Sequence, residues 1–491
     1  MKIYILLLLI FTTSIIGAQP TEELQKLIGH DADTGSYFGV DVSISGDYAI
    51  VGASGEKNYS VRTGVAYIYK NLNNSWELQN KITASDAEFR DWFGESVCIS
   101  GNYAIVGACG NDDGAYQTGS AYIFRNNNGI WEQQVKLLAF DGKEYDHFGR
   151  KVAIYDDYAV VAATDDEDDG YNGGIVYIYK NNGGNWDFHQ KLDAADGADY
   201  FHFGTSVDIS ETYLLIGTVA NVDEQRAYMY KNVNGIWQLD DILIPADGEI
   251  NEGFAKSVHI DGDYAIIGSP FDRDNEALSG SAYIFKLVGN DWQEEQKLLA
   301  FDGVINDLFG YSVSISGNYA LIGARQDNIN DINSGSAYLF ENNGSNWVFH
   351  SKQYASDGEL RDYFGKVDID GNYSIIGAWH NSNEKGIEAG AAYIFGPLPT
   401  AIQQFDIENN ISAYPNPTTA ISIIKLTVEH DAKVKMITYN ALGIVVQKSK
   451  IISLTKGKHQ LPWDGNKLPK GNYFIRIQSN SGSSTIKIMK Q

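Results

Sequence analysis

A Phe-Gly pair that recurs at a nearly constant interval constrains this chain more than any other feature. Successive copies are 55 residues apart, except for one step of 51 residues. The fifth copy is weakened, because Ala255 follows its Phe. The seven anchor residues are Phe38, Phe93, Phe148, Phe203, Phe254, Phe309 and Phe364. Seven copies at one period indicate a repeat architecture, in which each unit buries its apolar surface against its neighbours.

Each copy predicts four strands. In the second copy, Ser96–Ser100 alternates polar and apolar residues, as a half-buried strand does. A hairpin turn at Gly101-Asn102 leads into a mostly apolar strand, Tyr103–Cys109, and two further strands follow at Gly119–Arg125 and Trp131–Ala139. One such sheet cannot cover both of its faces, so we expect seven sheets packed around an axis as a β-propeller.

The two ends of the repeat region predict that the ring closes. The last copy stops at Phe395 without a fourth strand. The missing strand is found at the other end of the region, where Gln25-Lys26-Leu27 precedes Asp31 in the register that Gln190-Lys191-Leu192 has before Asp196. We expect Glu23–Ile28 to complete the last sheet, so that no sheet edge stays open.

The anchor pairs, together with a Gly-Ala pair after the second strand, resemble the FG-GAP repeat. The Gly-Ala pairs are Gly52-Ala53, Gly107-Ala108, Gly323-Ala324 and Gly377-Ala378. The resemblance covers residues 22–397. It implies the seven-bladed propeller of integrin α-subunits, which also occurs in many bacterial surface proteins.

One departure from the integrin-type pattern concerns calcium. Integrin-type repeats carry a DxDxDG loop between the first and second strands, where this chain has only short turns such as Ser45–Tyr48. A bare hairpin turn cannot place six to eight oxygens around Ca²⁺. The calcium sites of the family are therefore not carried over, and no cofactor is predicted.

Two sets of acidic residues need an interpretation. The cluster DDEDDG offers alternate carboxylates at Asp165, Glu167 and Asp169, either as a calcium loop or as a solvated surface loop. A separate Asp stands seven residues before every anchor, and its recurrence favours a turn-holding role in which the carboxylate bonds local backbone N–H groups. These residues are Asp31, Asp86, Asp141, Asp196, Asp247, Asp302 and Asp357.

The residue just before each anchor is the candidate binding position, because it varies inside a fixed frame. Five of the seven are aromatic or His, namely Tyr37, Trp92, His147, His202 and Tyr363. Being next to the innermost strand, they are predicted to ring the mouth of the central channel on the face that carries the long loops. They either stack on sugars or grip a peptide, or they pack to close the channel mouth.

The tryptophans of the fourth strands recur too faithfully for a ligand site and are predicted to be core. They are Trp76, Trp131, Trp186, Trp237, Trp292 and Trp347. The two cysteines, Cys98 and Cys109, are predicted to be free thiols. The expected register separates them by about 13 Å along the strand, which is beyond disulfide reach.

Catalytic motifs give little support to an enzyme. The sequence contains no GxSxG, HExxH, CxxC or phosphate-binding glycine loop. We therefore predict a binding or adhesion protein whose long acidic and aromatic loops bind a glycan or a protein. The alternative is a secreted hydrolase or lyase that degrades polysaccharide or glycan with loop carboxylates on the same face.

The charge is divided unevenly. From Ser412 onward there are 12 of the 37 basic and 3 of the 63 acidic residues, which leaves 25 against 60, a formal charge of −35, on residues 1–411. Such a surface repels phosphate backbones and anionic lipid, which excludes nucleic acid as a predicted partner.

The two ends of the chain predict export. Residues 1–18 read as a signal peptide, with Lys2, the apolar Ile3–Ile16 and the small pair Gly17-Ala18, and no other stretch is apolar enough to cross a membrane. We predict a propeller domain at 19–397, a proline-bearing linker at 398–411 and a small β-sandwich at 412–491.

The last domain resembles the C-terminal sorting domain of type IX secretion cargo. The resemblance rests on Ala413–Pro417, Asn440–Gly443, Leu468–Ile475 and the basic tail. It implies a bacterium of the Bacteroidota, with the type IX machinery as a partner and a location at the cell surface or outside the cell. The alternative is an Ig-like adhesive module that stays attached.

Overall fold

Each copy of the repeat folds into one four-stranded antiparallel sheet. The computed structural model describes residues 23–58, 60–167, 172–194, 201–219, 225–248, 251–396, 412–428, 432–439, 445–449, 452–479 and 482–491. Within these ranges there are seven such sheets, here called blades 1 to 7 in chain order, and no helix. The predicted signal peptide and linker lie outside the described residues.

The two inner strands of each blade are joined by a tight turn. The innermost strands are Phe38–Ser45, Phe93–Ser100, Phe148–Tyr155, Ser206–Ile209, Ser257–Asp261, Phe309–Ser316 and Lys366–Asp370. The second strands are Tyr48–Ala53, Tyr103–Ala108, Tyr158–Ala163, Tyr213–Gly217, Tyr264–Ser269, Tyr319–Ala324 and Tyr373–Ala378. Ser100 pairs with Tyr103, which confirms the two-residue turn at Gly101-Asn102.

The two outer strands complete each blade. The third strands are Val65–Asn71, Ser120–Asn127, Ile175–Asn182, Ala227–Val233, Ser281–Val288, Ser336–Asn342 and Ala391–Phe395. The fourth strands are Trp76–Ile82, Ile130–Leu137, Asn185–Leu192, Ile236–Leu243, Asp291–Leu298, Trp347–Gln353 and, for blade 7, Glu23–Leu27. A short hairpin of Lys57–Asn58 and Val61–Arg62 lies in the loop between the second and third strands of blade 1.

The predicted closure of the ring is confirmed. Lys26 pairs with Tyr393 and Leu27 pairs with Ala392, so the first strand of the region is the outermost strand of blade 7. The innermost strand of each blade contacts those of both neighbouring blades, and those of blades 1 and 7 also contact each other. The ring of seven blades is therefore closed by a strand from the other end of the repeat region.

In blades 1 to 6 the anchor Phe and the residue after it form the centre of a tight turn that starts the blade. In blade 2 the N–H of Glu95 donates to the carbonyl of Trp92 at 3.1 Å, and Gly94 at the third position of this turn has a φ of 91°. Glycine populates positive φ without steric cost, which explains its place after the anchor. In the weakened copy, Ala255 holds a φ of 66° at the same place. Blade 7 differs, because the N–H of Gly365 donates to the carbonyl of Gly377 and Gly365 has a φ of 155°.

The Gly-Ala pair marks the junction between neighbouring blades. A Cβ atom on Gly107 would lie 2.0 Å from the carbonyl oxygen of Gly149, the anchor glycine of the next blade. Gly52 stands in the same relation to Gly94. The backbones of neighbouring blades approach so closely here that a side chain does not fit without displacement.

Recurring aromatic residues fill the blades and the spaces between them. The ring of Phe93 meets Tyr122 of the third strand edge-to-face at 5.5 Å, and Tyr48 of blade 1 meets Trp131 of blade 2 in the same way and at the same distance. All six fourth-strand tryptophans are at most 7% exposed, so their prediction as core is confirmed. Cys98 pairs with Ile105 and both cysteines are free, as predicted.

The prediction for the recurring Asp before each anchor was incomplete, because side chains are also partners of the carboxylate; Asp196 lies outside the described residues. In blade 6, the hydroxyl of Tyr338 donates to Asp302 at 2.7 Å and Nζ of Lys352 lies 2.8 Å from it. Tyr393, Lys26 and Asp357 form the same group in blade 7, with Lys26 supplied by the closing strand. The carboxylate joins the loop that leads into a blade to the third and fourth strands of that blade, and Asp86 and Asp357 also bond their own backbone N–H. In blade 1 Lys81 contacts Asp31, but the hydroxyl of Tyr67 donates to Glu56.

The C-terminal unit is a β-sandwich, as predicted. One sheet has the order Ser412–Tyr414, Ile421–Val428, Gly457–Asp464. The other has the order Val445–Lys448, Ala432–Tyr439, Gly471–Ser479, Gly482–Lys490, with Ile452–Leu454 also paired to Ala432–Tyr439. Ile424 and Trp463 of the first sheet and Val434 and Ile475 of the second belong to one buried cluster.

Candidate functional site

The residue before each anchor lies in the left-handed region of backbone conformation in all seven copies. Its φ ranges from 48° at His202 to 74° at Gly253. Left-handed φ is uncommon outside glycine, and only one copy has glycine there. The repeat therefore holds six side chains in a conformation that their own preferences do not favour, because this residue begins the tight turn around the anchor.

This position faces the second residue after the Gly-Ala pair of the same blade, and the two are complementary in size. The indole of Trp92 lies against Gly110, and the ring of Tyr37 lies against Gly55. In blade 5 the order is exchanged, since Phe271 lies against Gly253. Blades 1, 2 and 5 thus have one ring at this contact, whereas blade 7 has two, since Tyr363 meets His380 at 5.1 Å.

Three of the five predicted ligand-binding residues line one cavity of about 1000 Å³. They are Tyr37, Trp92 and Tyr363. The cavity walls come from the loops between second and third strands, from the loops that precede the anchors and from the first residues of the innermost strands. It therefore lies at the long-loop end of the innermost strands.

Trp379, Phe89 and Tyr311 are further aromatic residues that line this cavity. Trp379 belongs to a group of contacting rings. Its ring is stacked with that of Tyr363 at 6.0 Å, and Tyr37 is stacked with the neighbouring His380 at 5.8 Å. These four side chains come from blades 1 and 7 and form one continuous aromatic wall.

The other two predicted residues, His147 and His202, are not among the residues that line the cavity. Both contact Asp165, which joins them to each other. Nδ1 of His147 lies 2.7 Å from Oδ2 of Asp165, and Nδ1 of His202 lies 3.1 Å from Oδ1. Burial alone would raise the pKa of Asp165, but hydrogen bonds from the two histidines hold it well below its usual range. The bond to Asp165 raises the pKa of His202 against the effect of burial.

The predicted acidic metal loop is only partly described. Asp169 lies outside the described residues, and Glu167 is the last residue of a described range. Asp165 is bonded to the two histidines. Among the described residues, no group of three or more His, Cys, Asp or Glu side chains is arranged to hold a metal ion. Calcium binding by this loop stays a prediction.

Basic residues also line the cavity, and the sequence interpretation did not anticipate them. Arg150 and Lys151 follow the anchor of blade 3, Lys366 follows that of blade 7, and Arg325 follows the Gly-Ala pair of blade 6. The same argument that singled out the residue before the anchor, variation inside a fixed frame, applies to these positions. It would also have singled out Trp379, which occupies the place of Arg325 in blade 7.

Below the cavity, side chains of the innermost strands bond the edge of the next blade. Oδ2 of Asp41 accepts the N–H of Val97 at 3.0 Å, and Ser43 Oγ accepts the N–H of Ile99 at 3.2 Å. Asp368 closes the circle, because its Oδ2 accepts the N–H of Ile44 in blade 1 at 2.8 Å. These edge N–H groups are consequently occupied by the protein itself.

General acid catalysis needs a carboxyl group that is protonated before the reaction. Asp307 is a candidate for such a group, but it does not line the cavity. Burial raises the pKa of Asp307 to about 6. It is only 1% exposed, and its Oδ2 accepts the N–H of Val304 at 2.7 Å within its own loop. Asp307 therefore holds the loop before the anchor of blade 6.

The seven copies each match the profile of the FG-GAP repeat. The matched segments are residues 21–69, 76–124, 131–179, 186–230, 237–285, 292–340 and 347–395. The chain belongs to the FG-GAP repeat family. Residues 412–491 match the secretion system C-terminal sorting domain.

The sorting domain indicates that this FG-GAP protein is exported by type IX secretion to the cell surface or beyond it, and implies contact with the type IX machinery. Among the residues that the structure describes, no helix is long and apolar enough to cross a membrane. A search of curated proteins finds no match to this chain.

Solved structures similar to this FG-GAP chain are distant. A chain of the Mitotic Checkpoint Complex is 9% identical with a TM-score of 0.49, covering 81% of this chain and 100% of its own. A putative 6-phosphogluconolactonase from Bacteroides fragilis is 11% identical with a TM-score of 0.43, covering 81% and 93%. PorZ, a surface component of the type IX system of Porphyromonas gingivalis, is 11% identical with a TM-score of 0.27, covering 92% and 75%. These likenesses say nothing about what this chain binds.

Proposed function

We propose that this exported FG-GAP propeller is a binding or adhesion protein that holds an extracellular glycan or protein ligand in the cavity at its long-loop face. The observation that supports this function is the cavity of about 1000 Å³ lined by Tyr37, Trp92, Tyr363 and Trp379. Ligand sites are typically concave, of about 300–1,000 Å³, and lined by aromatic side chains with a few polar groups.

The way in which the rings are held supports a binding role over simple packing. Packing between blades is already provided by the recurring Phe, Tyr and Trp residues, which are buried in every copy. The rings at the cavity are additional, because they differ between copies and are only half-buried. Contacts with neighbouring rings and with Gly110 hold them before a ligand arrives, and a pre-ordered ring loses little conformational entropy on binding.

Arrays of glycans and of surface proteins, probed with the purified exported protein, test this function. We expect at least one class of ligand to bind, and we expect the Trp92→Ala and Tyr363→Ala variants to lose that binding while unfolding at nearly the same temperature. Tyr116→Ala is the matched control, since Tyr116 is 51% exposed on a long loop but does not line the cavity. Binding that survives both substitutions would contradict the proposed site.

A further inference from the structure

The charge of the cavity is opposite to that of the propeller around it. Six of its lining residues are basic and two are acidic. The basic residues are Arg62, Arg90, Arg150, Lys151, Arg325 and Lys366, and the acidic ones are Glu95 and Glu388. Residues 1–411 as a whole carry a formal charge of −35, so a local excess of positive charge here requires a specific explanation.

The repeat itself does not require these cations. Lys151 pairs with Ala162 and Lys366 pairs with Gly377, at the point of the innermost strand where four other blades have serine. Those serines are Ser96, Ser206, Ser257 and Ser312. Arg325 replaces the serine or threonine that follows the corresponding pair in blades 1 and 3. The blade therefore folds without a cation at this point. Lys366 has a structural partner in the buried Asp41, which leaves Lys151 and Arg325 as the cations that need another role.

Several of these cations lack a matching carboxylate. Lys366 pairs with Asp41 at 3.0 Å, but Lys151 has no carboxylate within ion-pair distance among the described residues. The guanidinium of Arg325 lies over the ring of Tyr311 at 3.6 Å. Its Nε has no hydrogen-bond partner among the residues that the structure describes. The carboxylates of Asp41 and Glu95 act on Lys151 only from beyond ion-pair distance, and burial and the charge of Lys366 outweigh their effect on its pKa. Positive charge that is partly withdrawn from water without a direct carboxylate contact is unfavourable, and an anion relieves this cost.

Lys256 of blade 5 shows the same excess of positive charge. Burial lowers its pKa to about 8, together with the charges of Lys151, Arg150 and Arg325. Burial and the charge of Lys366 likewise lower the pKa of Lys151. The cations of blades 3, 5, 6 and 7 thus act on one another across the mouth of the channel.

We propose that these cations bind the single anionic group, carboxylate or sulfate, of an acidic sugar at the end of a saccharide chain, while the aromatic wall stacks on its sugar rings. This inference rests on the proposed function and names its ligand class. A single anion at a chain end fits better than a polyanion, because the net negative charge of the propeller region repels repeated negative charge outside the cavity. Arginine suits this role, since its guanidinium bonds planar anions with two parallel N–H groups.

A saccharide fits the site better than an acidic peptide does. A peptide backbone needs partners for its own N–H and C=O groups, which binding domains often supply from an open strand edge. Here the edge N–H groups of the innermost strands are already bonded by side chains such as Asp41, Ser43 and Asp368. A pyranose ring has no backbone amides to satisfy and offers flat faces to Tyr37, Trp92, Tyr363 and Trp379.

Matched pairs of oligosaccharides test the inference on the full exported protein. The probes are short chains that end in galacturonate, glucuronate or sialic acid, the same chains with the carboxyl reduced to an alcohol, and a chain that ends in 6-sulfated galactose. We expect titration calorimetry to show at least about tenfold tighter binding of one acidic or sulfated chain than of its neutral counterpart. Comparison of the carboxylate and sulfate arms tells the two anions apart.

The variants are chosen so that the fold is kept. Lys151→Ser introduces the residue that four other blades have at this point, and Arg325→Ser introduces the residue of blade 1. Each is expected to weaken the acidic probe about tenfold and leave the neutral probe unchanged. Lys180→Ser, on the third strand of blade 3 outside the cavity, removes the same charge and is expected to change neither.

The outcomes separate this inference from the proposed function. Equal binding of acidic and neutral chains that is lost in the Trp92→Ala variant would support the proposed function and overturn the inference. Binding of an acidic peptide in place of any saccharide would also overturn the inference. Unchanged affinity in both Lys151→Ser and Arg325→Ser, with unfolding temperatures like that of the parent, would overturn it as well.

Discussion

The indole of Trp92 lies so close to Gly110 that a Cβ atom on this glycine would be 3.0 Å from Cε3 of the ring. Trp92 also has a φ of 55°, a conformation that glycine adopts with much less strain. Blade 5 has the converse arrangement, in which Gly253 occupies the place of Trp92 and Phe271 occupies that of Gly110. The ring at this contact is therefore exchangeable between two positions of the blade without loss of the turn.

Trp92→Gly is predicted to separate binding from stability. The substitution introduces the residue of blade 5, relieves the left-handed backbone and removes only a half-buried ring, so we expect a thermal unfolding midpoint within about 3 °C of the parent. Removal of the stacking surface is expected to weaken ligand binding about tenfold. Calorimetric unfolding and titration with the ligand from the arrays measure the two effects, and a large drop in the midpoint would show that the ring is structural.

The pair of Asp165 and His202 is predicted to make the stability of blades 3 and 4 depend on pH. Because the folded state raises the pKa of His202, its contribution is fully present below about 6.5 and is lost as pH rises through the raised value. Because the pKa of Asp165 is lowered, its contribution is present above about 3.8 and is lost as pH falls through the lowered value. The two contributions are therefore largest together between about pH 4 and 6.5.

Asp165→Asn tests this dependence. We expect the variant to be destabilised more at pH 5.5 than at pH 8, and we expect the pKa of His202 to fall toward its ordinary value in an NMR titration of the histidine rings. Asp240→Asn, at an exposed position of the fourth strand of blade 4, is the control for loss of one negative charge. An equal loss of stability at both pH values would contradict the ion pair.

The sequence predicted the fold well because the repeat carries it. A sequence pattern that recurs seven times predicts the strands of the blade, their turns and the closing strand, even where one copy departs from the pattern. The side-chain partners were harder to predict, as Asp302 shows. Its recurrence was read as turn chemistry, although Tyr338 and Lys352 recur at equally fixed spacings and were available as partners. Recurrence shows that a residue is structural without showing what it contacts.

The candidate site was only partly predictable, because equivalent residues of the cavity stand at different distances from the anchor Phe in different copies. The equivalence of Lys151 and Lys366 is hidden by one missing residue after Phe364, and only the strand pairing reveals it. In the C-terminal unit, Ser412–Tyr414 and Ile452–Leu454 are strands of only three residues, which are too few to show an alternating pattern in the sequence.

Gly107→Ala is predicted to loosen the junction between blades 2 and 3. The added Cβ atom would lie 2.0 Å from the carbonyl oxygen of Gly149, so backbone must move, which typically costs about 1–3 kcal/mol. Chemical denaturation measures the change. Gly101→Asp is the matched control, because Asp156 occupies the same turn position in blade 3 at a φ of 50°. If Gly107→Ala costs no more than this control, the close approach of the blades is not what selects glycine.

The closing strand is predicted to hold the ring together. Without Glu23–Leu27, the third strand of blade 7 loses its partner, and Asp357 and Asn381 lose the ammonium of Lys26, which lies 2.6 Å and 3.0 Å from them. The side-chain amide of Gln25 also bonds the backbone of Trp76 in blade 1, since its Nε2 donates to the carbonyl and its Oε1 accepts the N–H. We expect deletion of these five residues to expose an unpaired edge, which promotes association between chains.

Two variants separate the backbone pairing of that strand from the charged contacts of its lysine. Deletion of Glu23–Leu27 removes backbone pairing, whereas Lys26→Met keeps it and removes only the charged contacts with Asp357 and Asn381. We expect light scattering after size exclusion to show oligomers for the deletion variant and a profile equal to that of the parent for Lys26→Met. We expect Lys26→Met to lower the unfolding midpoint by less than the deletion does. Lys70→Met, at the end of the third strand of blade 1, controls for charge. A deletion variant with the size and midpoint of the parent would mean that the ring does not depend on a strand shared between its two ends, because the pairing lost at Tyr393 would then cost nothing.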